Sequence, residues 1–212
     1  MPRTFIVCLF LIGWLLACCR GGTEKKENKA SGGDPVITIA WQPFGDVSHF
    51  LIDTLSKRVG AKLHVKCIIL PARPLPVNAF YSRRHRYIAD SLLQCLKKTD
   101  RQSANRIIGI TNADISIFIP GNRNWGIMGL GDCPGTSCII SEYRVLPTST
   151  SKHQFITRME CLSLHELGHT FSLPHCPVPG CIMKDAEGKM DLDDTKNYCA
   201  QCASLLRKKG LL

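Results

Sequence analysis

Residues 165–175 read His-Glu-Leu-Gly-His-Thr-Phe-Ser-Leu-Pro-His, and this run constrains the chain more than any other. His165 and His169 are four apart, so on a helix they stand one turn above the other on the same face. Glu166 lies between them, and His175 follows six residues after the second histidine. Three neutral imidazoles form a ligand set for a zinc ion that keeps one coordination position open for water. A carboxylate beside that water can take its proton. A lone His-x-x-x-His is more often surface or core than metal, but the added Glu166 and His175 make chance a poor explanation. The fold must then carry a helix through His169 and turn the chain back so that His175 reaches the same point. Apolar residues at 155, 156, 159, 162 and 164 give a helical period, with no proline or glycine from Phe155 to Leu167. Pro174 disfavours helical geometry at Leu173, which predicts a helix end near Ser172.

Cys176 and Cys181 flank a Pro-Val-Pro-Gly loop, and Cys199 and Cys202 form a Cys-x-x-Cys pair. Four thiolates in two close pairs suit a closed tetrahedral zinc site of the structural type. Two disulfides are the alternative in an exported protein; the ligand-like spacing of both pairs favours zinc. Because Cys176 directly follows His175, the second zinc would hold the loop that carries a ligand of the first.

The run HELGHTFSLPHC, then Cys181-Ile182-Met183, then Cys199-x-x-Cys202 resembles the archaemetzincin family of zinc metallopeptidases. The resemblance implies a zincin-like α+β fold of metzincin type and two zinc ions per chain. His165, His169 and His175 would bind the catalytic zinc, with Glu166 as general base. Cys176, Cys181, Cys199 and Cys202 would hold the structural zinc, and Met183 would be the Met-turn residue beneath the first metal. Upstream, Arg84-His85-Arg86-Tyr87 and Ile107-Ile108-Gly109-Ile110-Thr111 with Asp114 resemble weaker family landmarks, so the likeness spans about residues 36–206. One departure stands out: metzincins usually carry glycine three residues after the second histidine, and here Ser172 takes that place. If the turn needs a positive φ, serine costs on the order of 1 kcal/mol relative to glycine.

The N-terminus reads differently. Arg3 precedes an apolar run from Phe5 to Leu16, too short for the 20 or so residues of a membrane span. It fits the charged and apolar regions of a secretory signal. Leu15-Leu16-Ala17-Cys18 resembles a bacterial lipobox, which implies that residues 1–17 are a signal peptide and that Cys18 is lipidated. Residues 18–34 are almost free of apolar groups and read as a flexible tether. The expected location is the bacterial cell envelope, with a lipid anchor to the membrane. Residues 35–212 have the composition and length of one globular domain.

Within that domain the pattern alternates. Strands are expected at Val36–Trp41 and Lys62–Leu70, with a helix at Val47–Val59 between them and another at Tyr87–Lys98. Short strands follow at Arg106–Thr111, Ile115–Ile119, Trp125–Leu130 and Cys138–Tyr143, then the histidine-bearing helix and a closing helix from about Asn197 to Lys208. This order predicts an upper subdomain, with a mixed twisted sheet and helices, above a small loop-rich C-terminal subdomain with the four-cysteine site. Either Trp125–Gly131 or Cys138–Tyr143 would be the edge strand that aligns an extended peptide by β-augmentation.

Of twelve cysteines, Cys8 falls in the signal. Cys133 and Cys138 are either a local disulfide or free thiols, and Cys67, Cys95 and Cys161 are expected as buried free thiols. His49, His64, His85 and His153 fit no ligand spacing. The net charge of +10 gathers at Arg83-Arg84-His85-Arg86 and Arg207-Lys208-Lys209. These clusters lack the interleaved aromatics of a strand-binding platform, so no nucleic-acid partner is expected and a basic face near anionic lipid is. Nothing resembles a pro-segment with a zinc-blocking cysteine. The expected function is hydrolysis of peptide or protein substrates by a monomer, through Glu-assisted attack of zinc-bound water. Hydrolysis of a non-peptide amide in the cell envelope, or a non-catalytic zinc-binding module, are the alternatives. Glu166 argues against the module, because a purely structural site has no use for a carboxylate beside its water.

Overall fold

Strand β1 (Thr38–Phe44) is buried at every residue from Ile39 to Phe44, which is how a strand looks when a parallel sheet is covered on both faces. The computed structural model describes residues 37–186 and 192–212; the signal segment, Cys18 and the tether lie outside them. β1 leads into helix α1 (His49–Leu63) and returns as β2 (Lys66–Ile69), parallel to β1. The helix runs past its expected end at Val59 because Val59 and Leu63 continue its buried face. It stops where His64 takes the left-handed conformation, φ 54°, and donates its N–H to the Gly60 carbonyl. The expected strand at Lys62–Leu70 is shortened accordingly.

Two short strands, β3 (Phe80–Tyr81) and β4 (Arg86–Ile88), precede helix α2 (Ala89–Lys97). Tyr87 and Ile88 therefore pair in a sheet and do not start the helix. β5 (Arg106–Thr111), β6 (Ile115–Ile119), β7 (Asn122–Ile127), β8 (Gly129–Gly131) and β9 (Ser137–Ser141) follow. The main sheet has the order β2-β1-β5-β9-β8, parallel except for β8, which runs antiparallel to β9. A second sheet has the order β3-β4-β6-β7. The single strand expected at Trp125–Leu130 is thus two, β7 ending one sheet and β8 edging the other, with Met128 between them. Cys138–Tyr143 is ruled out as the edge strand: β9 is enclosed by β5 and β8, and the free edge belongs to β8.

Helix α3 (Lys152–Thr170) starts earlier than the apolar period suggests. Ser151 caps it by accepting the Gln154 N–H, and the Gln154 side chain accepts from the Thr150 N–H, a variant of the reciprocal capping box. The helix is buried nearly all round between Ile156 and Thr170. After it comes a loop-rich segment and the short helix α4 (Ala200–Arg207). The C-terminal segment shares a core with the sheet: Ile108, Leu55, Leu162, Met183 and Leu206 belong to one apolar cluster. A second cluster, around α2 and the opposite face of the sheet, includes Leu92, Leu96 and Ile139. The architecture is α+β, a mixed sheet with helices on both faces.

Candidate metal centres and the cleft above them

Helix α3 places His165, Glu166 and His169 as the spacing requires. His165 Nδ1 lies 2.7 Å from the Ile182 carbonyl oxygen, and His169 Nδ1 lies 2.8 Å from that of Leu173. A carbonyl only accepts, so each Nδ1 carries the hydrogen and the neutral ring keeps its lone pair on Nε2. Those two Nε2 atoms face each other 3.1 Å apart. Two ligands at about 2.0–2.1 Å from a tetrahedral zinc would be roughly 3.3–3.4 Å from each other, so the spacing suits a cation between them. His175 completes the group, its ring 4.9 Å from that of His169 and 5.4 Å from that of His165. Its Nδ1 is 3.2 Å from Asp185 Oδ2. One nitrogen from each of the three rings lies within 4.8 Å of the others. Burial pushes the His165 imidazole down to about 4 and also lowers His169; both are therefore neutral and ready to donate lone pairs.

The turn after the helix is a Schellman motif. Ser172 N–H donates to the His169 carbonyl and Leu173 N–H to that of Gly168. Ser172 sits at φ 67°, the left-handed position where the metzincin pattern has glycine. The same turn presents the Leu173 carbonyl to His169. Met183 is fully buried under this end of the helix, where a Cβ on Gly168 would collide with its Sδ.

Glu166 is 6% exposed beneath strand β8. A Cβ on Gly129 would stand 2.5 Å from its Oε1, and one on Gly131 2.5 Å from its main-chain oxygen. Only glycine lets the strand pass this close to the helix. Desolvation raises the Glu166 carboxyl to about 8, opposed by a hydrogen bond from the Gly131 N–H. Above it opens a cleft of about 910 Å³ that reaches from His175 and Pro174 past Glu166 to Trp125 and Arg144.

The four cysteines Cys176, Cys181, Cys199 and Cys202 bring their sulfurs within 4.8 Å of one another, and none is disulfide-bonded. Cys176 and Cys199 Sγ are 3.8 Å apart, far beyond an S–S bond. Tetrahedral zinc with sulfurs at about 2.3 Å sets its sulfurs about 3.8 Å apart. The donor set therefore fits a structural zinc. The Cys199 N–H donates to Cys181 Sγ at 3.4 Å, and Cys199 caps α4, where the Cys202 N–H draws its thiol down to about 7. The Cys176 N–H donates to the Met183 carbonyl at 2.7 Å, so the cysteine and histidine groups share one stretch of backbone.

Cys133 and Cys138 do not form the disulfide that their spacing permits. Register pairs Cys138 with Gly131 and its side chain is buried in the core. The Cys133 thiol lies on the cleft side, 3.6 Å from the Leu173 carbonyl. Cys161 is buried as expected, while Cys67 and Cys95 are only half-buried. His49, His64, His85 and His153 join neither candidate site among the described residues.

Sequence reasoning missed a charge cluster at the other end of the cleft. Asp114, 7% exposed, accepts from Arg86 Nε at 2.6 Å and from Arg144 Nε and Nη2 at 2.8 and 2.9 Å. Arg86 and Asp114 had stood out singly in the sequence, but nothing local in it joins them or points to Arg144.

The chain is similar in sequence and fold to known proteins. A model of peptidase family M54 matches residues 47–208. The archaemetzincin of Methanopyrus kandleri is 29% identical over 159 residues, which is 74% of this chain and 87% of that one. That of Pyrococcus abyssi is 30% identical over 181 residues, covering 82% and 93%. The crystal structure of the M. kandleri archaemetzincin superposes with a TM-score of 0.69 at 26% identity, over 82% of this chain and 94% of that one. The Archaeoglobus fulgidus archaemetzincin, solved with malonate, shares the fold at a TM-score of 0.68 and 22% identity, over 80% and 99% of the two chains.

Proposed function

The chain belongs to peptidase family M54 and is a zinc-dependent metallopeptidase; from that premise we propose that His165, His169 and His175 hold its catalytic zinc and that Glu166 is its general base. One observation carries this reading. Two imidazoles commit their Nδ1 hydrogens to main-chain carbonyls and turn their Nε2 lone pairs toward each other, beside a buried carboxylate. A zinc ion held there supplies Lewis acidity and draws the pKa of a water toward about 7. Glu166 accepts the proton of the attacking water and delivers it to the leaving amine. The hydrogen bond from the Gly131 N–H fixes the orientation of the carboxylate. The free edge of β8 aligns the peptide by main-chain hydrogen bonds.

Cys176, Cys181, Cys199 and Cys202 take the second, structural zinc, giving two ions per chain. This site holds the backbone between His175 and Met183, the residue beneath the catalytic group. The test is cleavage of an internally quenched peptide library, with zinc content measured alongside. Cleavage that disappears with a chelator and returns with zinc is expected. A zinc-replete protein that cleaves no member of the library overturns the reading.

The sequence also supports an anchored enzyme. Residues 1–17 act as a signal peptide, Cys18 is lipidated, residues 18–34 tether, and residues 35–212 work as a monomer at the bacterial envelope membrane. No helix among the described residues is long and apolar enough to cross a membrane. Fatty-acid labelling that persists in Cys18→Ala overturns the anchor.

A further inference from the structure

We infer that Arg144 is a carboxylate-recognition residue of the cleft, engaging an acidic side chain or a chain-terminal carboxylate about three residues from the scissile bond. The inference rests on the metallopeptidase reading for the position of that bond.

Three observations carry it. The first is charge. Asp114 is one carboxylate shared by two guanidinium groups. Arg86, which also reaches the Asn124 carbonyl and Oδ1 at 2.9 Å, already balances it. Arg144 is thus surplus by one positive charge. Its Nε and Nη2 are held by Asp114, while its Nη1 meets no acceptor among the described residues. The guanidinium is locked in orientation with one edge left to donate, the arrangement suited to a planar carboxylate.

The second is placement. The Arg144 side chain is 31% exposed and lines the cleft alongside Trp125, Ile127, Met128 and Tyr143. It packs over Gly126 so tightly that a Cβ there would take the place of Nη2; the rim strand has glycine at the point where it crosses the guanidinium. An anion among apolar walls is attracted more strongly than in water.

The third is distance. Gly126 marks Arg144 and Gly129 marks the Glu166 carboxylate on the same rim. The chain bends at Met128, between β7 and β8, so the two marks lie no more than about 10 Å apart, within the reach of three residues of extended substrate. A carboxylate at the third residue from the cleaved bond therefore meets Arg144.

The test begins with the main scissile bond of a mapped peptide. Matched versions carry Glu or Gln three residues away on either side, and a second set ends there in a free acid or an amide. With zinc-loaded wild type, an acidic version on one side is expected to raise kcat/KM at least tenfold over its neutral match. The side-chain and chain-end sets tell the two carboxylate sources apart. In Arg144→Gln that ratio is expected to fall within twofold of unity, and in Arg144→Lys to lie between. A readout without turnover is calorimetric binding of the same peptides to Glu166→Gln protein, at least tenfold tighter for the acid. Equal kcat/KM for acid and neutral versions in wild type overturns the inference, as does a ratio that survives in Arg144→Gln. If Arg144→Gln does not fold, the wild-type series decides alone. Absence of any peptide cleavage defeats the metallopeptidase reading instead; binding of free-acid against amide peptides to wild type and Arg144→Gln then tests Arg144, and equal affinities in wild type overturn the inference.

Discussion

Met183 lies directly under Gly168, so that a Cβ on the glycine would strike the methionine sulfur. The contact sits one residue before His169 and ties the floor of the histidine group to the helix that carries it. Alanine at 168 gains about 1 kcal/mol of helix propensity but overpacks a site with no room, which costs about 1–3 kcal/mol. Gly168→Ala is expected to lower stability by about 1 kcal/mol and to weaken zinc retention. In a Met183→Ala background the same change should become stabilising, and a denaturation double-mutant cycle reads this coupling. No coupling between the two positions would refute the contact.

Strand β8 makes a second close approach, at Gly129 over Glu166. Gly129→Ala displaces either the rim or the carboxylate by the order of 1 Å. A shift of that size at a reacting centre costs about 100-fold in rate. Turnover should fall by that factor while zinc content stays unchanged, measured by kcat and metal analysis on the same sample. Full activity in the variant would mean that Glu166 has freedom the geometry denies it.

Ser172 at φ 67° carries the strain that its departure from glycine implies. Ser172→Gly should raise stability by about 0.5–1 kcal/mol, a Tm rise of about 1–4 °C for a chain of this size. The Leu173 carbonyl should still reach His169, so zinc occupancy should not change. Lost occupancy would show that the serine side chain itself shapes the turn.

Arg158, 6% exposed, donates through Nε to Asp193 at 2.8 Å and through Nη1 to the Thr148 carbonyl. The Arg158 hydrogen bonds hold the Asp193 carboxyl below its ordinary range. A depressed carboxyl pKa adds stability that is complete above the unfolded value and is lost as pH falls through the folded one. Wild type should therefore exceed Asp193→Asn in stability at neutral pH, and the gap should close as the solution is acidified below the ordinary carboxylate range. Urea unfolding at pH 7 and at pH 3 checks it; a pH-independent gap would refute the ion pair.

What the sequence disclosed and what it withheld follow from how far each feature reaches along the chain. The His165–His175 run and the cysteine pairs are local, so spacing and the proline at 174 already define a helix, a turn and two ligand groups. The start of α3 was equally local, in Ser151 and Gln154, but an apolar period ignores polar caps. Trp125–Leu130 looked like one strand because alternation says nothing of which sheet a strand joins. Gly126, Gly129, Gly131 and Gly168 each make room for a residue distant in sequence, and Asp114 meets arginines 28 and 30 residues away in opposite directions. Contacts of that kind exist only once the chain has folded.

Glu166 is the residue on which the proposed chemistry turns. The direct measurement is kcat for cleavage of one mapped peptide by wild type and by Glu166→Gln, with zinc per chain determined in both. Loss of a general base removes about 10²–10⁴-fold of rate. The expected result is a fall of that size at unchanged zinc content. Equal turnover in the two proteins would contradict it.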